Sequence, residues 1–165
     1  CLTYPLTVLQ KEFAVTSYFF NPNIHPYKEF IRRLQTLREY SQKLKFKLVV
    51  DKTYNLEEFL LACLQTKTIR CEHCYRSRML QVAQYAKSEG YEYFTTTLLV
   101  SPFQKHELLK EICQEVALEV GIEFYYQDFR VGFEIGQQMS SELEMYRQGY
   151  CGCIFSERDR YEKKK

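Results

Sequence analysis

A chain of 165 residues with 45% hydrophobic and 16% aromatic side chains has the length of one domain and enough apolar material for a sizeable core. Its 23 Lys and Arg against 21 Asp and Glu leave a formal charge of +2, which excludes a polybasic nucleic-acid arm but leaves room for a local basic face. Seven Cys are many for an intracellular protein and too few for a small disulfide-stapled scaffold. No run approaches the roughly 18 consecutive apolar residues of a membrane helix, and no signal peptide is visible, so the chain reads as soluble and cytoplasmic with no membrane partner. It opens on Cys1 and enters a helical pattern at once, so further sequence is expected ahead of it.

Leu2, Leu6, Leu9 and Phe13 recur at helical spacing, with Pro5 tolerable only in a first turn. Residues 15–20 read as a buried strand, residues 21–26 as a turn-rich loop, and residues 27–44 as a long amphipathic helix with Phe30, Ile31, Leu34 and Leu37 on one face. A strand at 46–50 follows, then a helix from Asn55, an expected N-cap with Glu57 and Glu58 in its first turn, through Leu64. A polar connection at 65–70 leads into a helix over 71–88 that Gly90 ends. A third strand is expected within 91–100, a helix over 105–120 stopped by Gly121, and a fourth strand at 122–126. Helices over 134–144 and after Cys153 precede a charged tail at 157–165.

Strands and helices alternating at this spacing predict one α/β domain over 1–165, with a mainly parallel sheet covered on both faces. Such sheets bind ligands beyond the carboxyl ends of their strands. Three loops leave those ends, at 21–26, 95–101 and 128–130, and the site is expected there. Asn21, Asn23, His25 and Thr97 are therefore candidate substrate contacts, with metal binding or a role in holding the loop as equal alternatives for His25.

The strongest local signal is Cys71-Glu-His-Cys74. At i and i+3 both thiols face one way on a helix, and a helix N-terminus favours the metal-binding thiolate. The plainer alternative is an incidental pair of core cysteines, and the spacing alone does not separate zinc, iron–sulfur and dithiol redox use. In Cys151-Gly-Cys153 the glycine permits a tight turn that brings both sulfurs to one centre or to each other. A disulfide across so short a loop is strained and easily reduced, which suits redox chemistry better than a structural link. Cys1 falls where a strand hands over to a helix, a site position in this architecture. Cys63 and Cys113 lie on apolar helix faces and read as core. His73 reads as exposed, and His106 as a helix cap or solvated. Arg32, Arg33 and Arg38 share one helix, either as a phosphate contact or, more commonly for such runs, as a solvated face.

Several segments in order resemble the QueH family of epoxyqueuosine reductases: Phe20-Asn-Pro-Asn-Ile-His-Pro26, Arg70-Cys-Glu-His-Cys74, Phe94-Thr-Thr-Thr-Leu-Leu-Val-Ser-Pro102, Asp128-Phe-Arg130, and Tyr146-Arg-Gln-Gly-Tyr-Cys-Gly-Cys-Ile-Phe-Ser156. The resemblance spans nearly the whole chain, and its last motif is highly specific. It implies a Rossmann-like, HUP-related three-layer sandwich. It also implies an oxidoreductase that removes the epoxide oxygen of epoxyqueuosine at the wobble position of tRNA, giving queuosine. The implied cofactors are a [4Fe–4S] cluster and one additional metal ion, iron, with electrons from a donor that the sequence does not name.

By the same resemblance Cys71 and Cys74 are cluster ligands, Cys151 and Cys153 a redox-active catalytic pair, and Cys1 a ligand of the second metal. Asp128 and Arg130 are candidate catalytic groups, and Tyr146 and Arg147 candidates for binding base or phosphate. The family also has a strand ending in two adjacent cysteines just before the position of Cys1, thought to supply half of the cluster ligands. This chain lacks that strand, and truncation is the favoured explanation. Three rivals remain open: an RNA- or nucleotide-binding α/β protein with a structural Cys₄ zinc site, a thiol oxidoreductase using Cys71 and Cys74, and a HUP-type nucleotide-dependent ligase, for which no Gly-rich phosphate loop is present.

Overall fold

The computed structural model describes residues 1–65 and 69–162. Part of the polar connection expected at 65–70 and the last residues of the charged tail lie outside the described residues. The elements run α1 (Thr3–Leu9), β1 (Thr16–Phe19), α2 (Tyr27–Leu44), β2 (Lys47–Val50), α3 (Leu56–Gln65), α4 (Arg70–Ser88), β3 (Tyr93–Phe94), α5 (His106–Val120), β4 (Glu123–Phe124), α6 (Phe133–Glu142) and α7 (Ile154–Tyr161). Short 3-10 turns occupy Thr97–Val100 and Arg130–Gly132.

The long helices form where the apolar spacing places them. On α4 the buried residues are Tyr75, Met79, Ala83 and Ala86, a single stripe at helical spacing. It packs on the stripe of Leu109, Ile112, Cys113 and Val116 from α5 in the largest core cluster. Gly121 ends α5 in the left-handed region, at φ 73°, donating its N–H back to Ala117. At the end of α2, Lys45 takes the same conformation without being glycine. Asn55 precedes α3 as expected, but the contact recorded for its side-chain amide is donation to the Glu58 carboxylate at 2.8 Å.

The strands form two parallel pairs. In one, β1 and β2 align Thr16 with Lys47 through Phe19 with Val50, joined by α2; in the other, β3 and β4 align Tyr93 with Glu123 and Phe94 with Phe124, joined by α5. The protein is thus a mixed α/β structure of two βαβ units, whereas one continuous sheet was expected. The second pair is shorter than the expected strands at 91–100 and 122–126. Residue Thr96 accepts a hydrogen bond from the Leu98 N–H at 3.3 Å, which turns the chain into the 3-10 segment instead of extending β3.

A groove of about 610 Å³ is lined by residues of both pairs, among them Ser17 and Phe19 of β1 and Phe94 of β3, with Val15, Thr95, and Met79 and Val82 of α4. At the carboxyl ends of the strands it reaches Asn21, Arg78 and Thr97. The Ser17 and Thr95 hydroxyls are buried without hydrogen-bond partners. No described helix is long and apolar enough to cross a membrane.

Candidate functional site

Two cysteine pairs 80 residues apart in sequence are brought into electrostatic range of each other. Cys71 and Cys74 stand at the start of α4, near enough to Cys151 that a negative charge on its sulfur would raise both, as one on Cys153 or Cys63 would raise Cys74. Cys153 in turn bears on the buried Cys63 of α3. The start of α4 is tied to α7 by the Arg70 guanidinium, which lies 4.4 Å from the centre of the Phe155 ring and 3.5 Å from the Asp159 carboxylate.

The surroundings of the helix start work against the expected thiolate. Burial is the largest influence on both thiols of α4: it raises Cys71 and pushes Cys74 up to about 12, against the opposing charges of Lys105 and Arg70 on the first and Arg78 on the second. Burial also raises Cys153 and takes Cys63 to about 11. Cys74 stands one turn inside α4, beyond the end where the helix dipole acts most strongly. Among the described residues no three His, Cys, Asp or Glu side chains converge closely enough to hold a metal ion.

The Cys151–Cys153 turn rests on the loop at 21–26 and on α2. The His25 N–H donates to the Gly152 carbonyl at 2.8 Å, and the Tyr150 hydroxyl donates to the His25 carbonyl. Arg33 donates to the carbonyls of Cys151 (2.9 Å) and Tyr150 (3.0 Å) and to Glu29 at 2.7 Å. Glu29 accepts from the Tyr146 hydroxyl at 2.9 and 3.0 Å, and Arg32 stacks on the Tyr146 ring at 3.6 Å. Gly152 has φ +120°, and a Cβ there would stand 2.9 Å from Ile24 Cγ1 and 3.0 Å from Arg33 Nη1. Cys151 is exposed and Cys153 half-buried.

The other expected site residues divide. Asn21 accepts from Arg78 at 2.8 Å and borders the groove with Thr97. Asn23 and His25 are almost fully buried, at 2% and 1% exposure. Neither His25 ring nitrogen has a partner in hydrogen-bond geometry, although the Pro22 carbonyl is near enough to favour the proton. Burial wins, and the His25 pKa is lowered. The Cys1 sulfur accepts from the Gln148 side chain at 3.6 Å. Tyr146 is engaged with α2, as above, while Arg147 donates to Gln137 at 3.0 Å on the surface.

Asp128 and Arg130 bond each other, with Arg130 Nη2 at 2.6 Å from Asp128 Oδ2, and that pairing holds the Asp128 carboxyl down at about 2. The bonds that hold the cysteine turn come instead from Arg33, Tyr150 and His25. His106, expected to cap or be solvated, is instead buried and bonded to the Tyr126 hydroxyl at 3.2 Å. His73 is half-buried against Phe59.

Arg33 is the residue whose place sequence reasoning missed. Its pairing with Glu29 was legible at i and i+4. Its reach to carbonyls more than a hundred positions away was not, and it is neither a solvated charge nor a free phosphate contact.

The family model described as "Epoxyqueuosine reductase QueH" matches residues 1–159. The chain belongs to this family. A protein of that name from Dehalococcoides mccartyi is 37% identical over 164 residues, covering 99% of this chain and 90% of the relative. One from Thermotoga maritima is 32% identical over 155 residues, covering 88% and 81%. One from Helicobacter pylori is 33% identical over 154 residues, covering 86% of this chain but 42% of that longer protein. All of the segments that carry the QueH resemblance fall within the matched residues.

Proposed function

We propose that the protein is an epoxyqueuosine reductase, a cytoplasmic oxidoreductase that converts epoxyqueuosine to queuosine at the wobble position of tRNA. The observation that carries the reading is the approach of two thiol pairs, Cys71/Cys74 and Cys151/Cys153, in a chain of the QueH family.

Thiols are the ligand type of iron–sulfur clusters, and Cys71 and Cys74 on adjacent turns of α4 fit two of the four positions of a [4Fe–4S] cluster. The described side chains do not complete the set. The reading therefore assigns the remaining ligands to the paired cysteines that the resemblance places directly before Cys1, and it keeps Cys1 as a ligand of a second metal, iron. The cluster, when bound, supplies electrons singly. The chain's own residues do the rest. Cys151, exposed, presents a thiol to the substrate side; Cys153, half-buried behind it, completes a dithiol able to hold two electrons. Asn21 and Thr97 border the groove at the carboxyl ends of the strands, Asn23 and His25 support the loop from beneath, and Asp128, Arg130, Tyr146 and Arg147 remain candidates for holding base and phosphate.

The finer fold expectation belongs to the same proposal. A parallel strand seated in the groove between β1 and β3 joins the two pairs into one sheet of a Rossmann-like three-layer sandwich. The unpaired outer edges of β1 and β3 and the orphaned Ser17 and Thr95 hydroxyls support it.

The test is anaerobic iron and sulfide analysis of the chain extended ahead of Cys1, with Cys71→Ala and Cys151→Ser assayed on RNA carrying epoxyqueuosine. Iron and acid-labile sulfide lost in Cys71→Ala, and activity lost in both variants, are expected. A colourless protein holding one zinc, or full activity in both variants, overturns the reading.

A further inference from the structure

We infer that Arg33, held by Glu29, is the positioning residue of the Cys151–Cys153 turn: its planar guanidinium fork grips the turn by two successive backbone carbonyls and sets where the two thiols stand.

The geometry is that of a built seat. The side chains of Arg33 and Glu29 are only 9% and 11% exposed, and their ion pair is 2.7 Å long. One guanidinium nitrogen holds the Cys151 carbonyl and another the Tyr150 carbonyl. A fork with fixed angles fixes the orientation of the peptide between them, which a point charge does not do. Glu29 is itself held by the Tyr146 hydroxyl, so the fork has a support behind it. On the far side the His25 N–H takes the Gly152 carbonyl. Carbonyls of three consecutive residues, 150 to 152, are thus occupied, and the absence of a side chain at Gly152 lets Arg33 approach that closely.

No bond from Arg33 reaches a sulfur, so its effect on the thiols passes through the backbone. It contributes position rather than chemistry. Its engagement inward also removes it from the set of surface cations able to meet RNA phosphate.

The inference rests on the proposed activity only for its kinetic arm. In anaerobically prepared protein, Arg33→Gln removes the charge and the fork, and Arg33→Lys keeps the charge without the fork. Two readouts apply: the rate at which iodoacetamide alkylates Cys153 in the folded protein, resolved by peptide mass spectrometry, and kcat and KM on RNA carrying epoxyqueuosine. Both variants are expected to speed Cys153 alkylation by about fivefold or more, the factor set by freeing one hydrogen-bonded group. Both are expected to lower kcat by roughly tenfold to a hundredfold with KM nearly unchanged, as misplacement of a reacting group does.

Unchanged alkylation and kcat in Arg33→Gln overturns the inference. A raised KM at constant kcat also does so, by assigning Arg33 to phosphate, as does full recovery in Arg33→Lys, by showing that charge suffices. If Arg33→Gln fails to fold, Glu29→Gln frees the fork while leaving it present, and unchanged alkylation there is equally decisive. A wild-type protein inactive on the RNA overturns the proposed activity alone and leaves the alkylation readout to decide the role of Arg33.

Discussion

Replacing Gly152 with alanine tests the cysteine turn at its tightest point. At φ +120° an L-residue costs about 1–3 kcal/mol. The new Cβ would also stand 2.9 Å from Ile24 Cγ1, 3.0 Å from Arg33 Nη1 and 3.2 Å from Asn23 Nδ2. None of these neighbours yields easily: Ile24 is 4% exposed, Asn23 2%, and Arg33 is held on both carbonyls. Overpacking of this kind adds about 1–3 kcal/mol. Against that, alanine reduces the entropy of the unfolded chain by about 0.4–1 kcal/mol in favour of the folded state. The net strain in an unmoved turn is therefore about 1–6 kcal/mol, and the protein relieves part of it by shifting the turn off its seat. Urea unfolding of Gly152→Ala is expected to show a loss of about 1–3 kcal/mol, with faster alkylation of Cys153 and little remaining activity on RNA. A variant within about 0.5 kcal/mol of wild type, with unaltered thiol reactivity, would refute the tight seat; that difference is the ordinary scatter of surface changes.

Two further outcomes follow from the same geometry. His25 has its folded pKa lowered by burial, so the unfolded chain takes up the proton first; stability is complete above the ordinary value of 6.5, falls as pH drops below it, and stops falling once the lower folded value is passed. Urea midpoints measured from pH 7.5 to about pH 5 should show this decline in wild type and a flatter profile in His25→Gln; equal slopes would remove His25 as its source. Tyr75→Phe leaves the Gln104 side chain and the Lys105 N–H without the hydroxyl they bond at 2.7 and 3.2 Å, and is expected to cost about 1–2 kcal/mol in urea unfolding. A loss below about 0.5 kcal/mol would show that water replaces the hydroxyl there.

What the sequence disclosed, and what it hid, divides by range of interaction. Helix α2 was legible to both of its ends, and α5 to its glycine stop, because apolar period and stop signals are local. The family was legible too, since its motifs are short and ordered. The second strand pair was overestimated because Thr-rich, apolar stretches read as strand, while the Thr96 hydroxyl bends the chain two residues after β3 ends. Burial of His106 and the inward turn of Arg33 depended on partners about 20 and 118 residues away, Tyr126 and the Cys151 carbonyl, and no local pattern encodes them. The thiol environment was misjudged for the same reason: a helix start argues for thiolate, but the packing of α3, α4 and the turn at 151–153 sets the solvation, and burial dominates.

The two cysteine pairs differ in what supports them, and that difference bears on which does what. Cys71 and Cys74 stand on a helix whose next turns, through Tyr75 and Met79, are locked into the largest core cluster. Groups so held keep fixed spacing, which is what a multi-thiolate centre requires of its ligands. Cys151 and Cys153 stand on a turn held by side chains and single backbone bonds, with one thiol open to solvent. A dithiol that must meet a substrate needs access in a fixed place, and a turn with one exposed thiol seated by backbone hydrogen bonds provides both. Exchanging the roles would place an exposed cysteine among the ligands and a redox pair on a helix face where burial raises both thiols. The proposed division, ligands on α4 and redox chemistry on the turn, is consistent with the support each pair has.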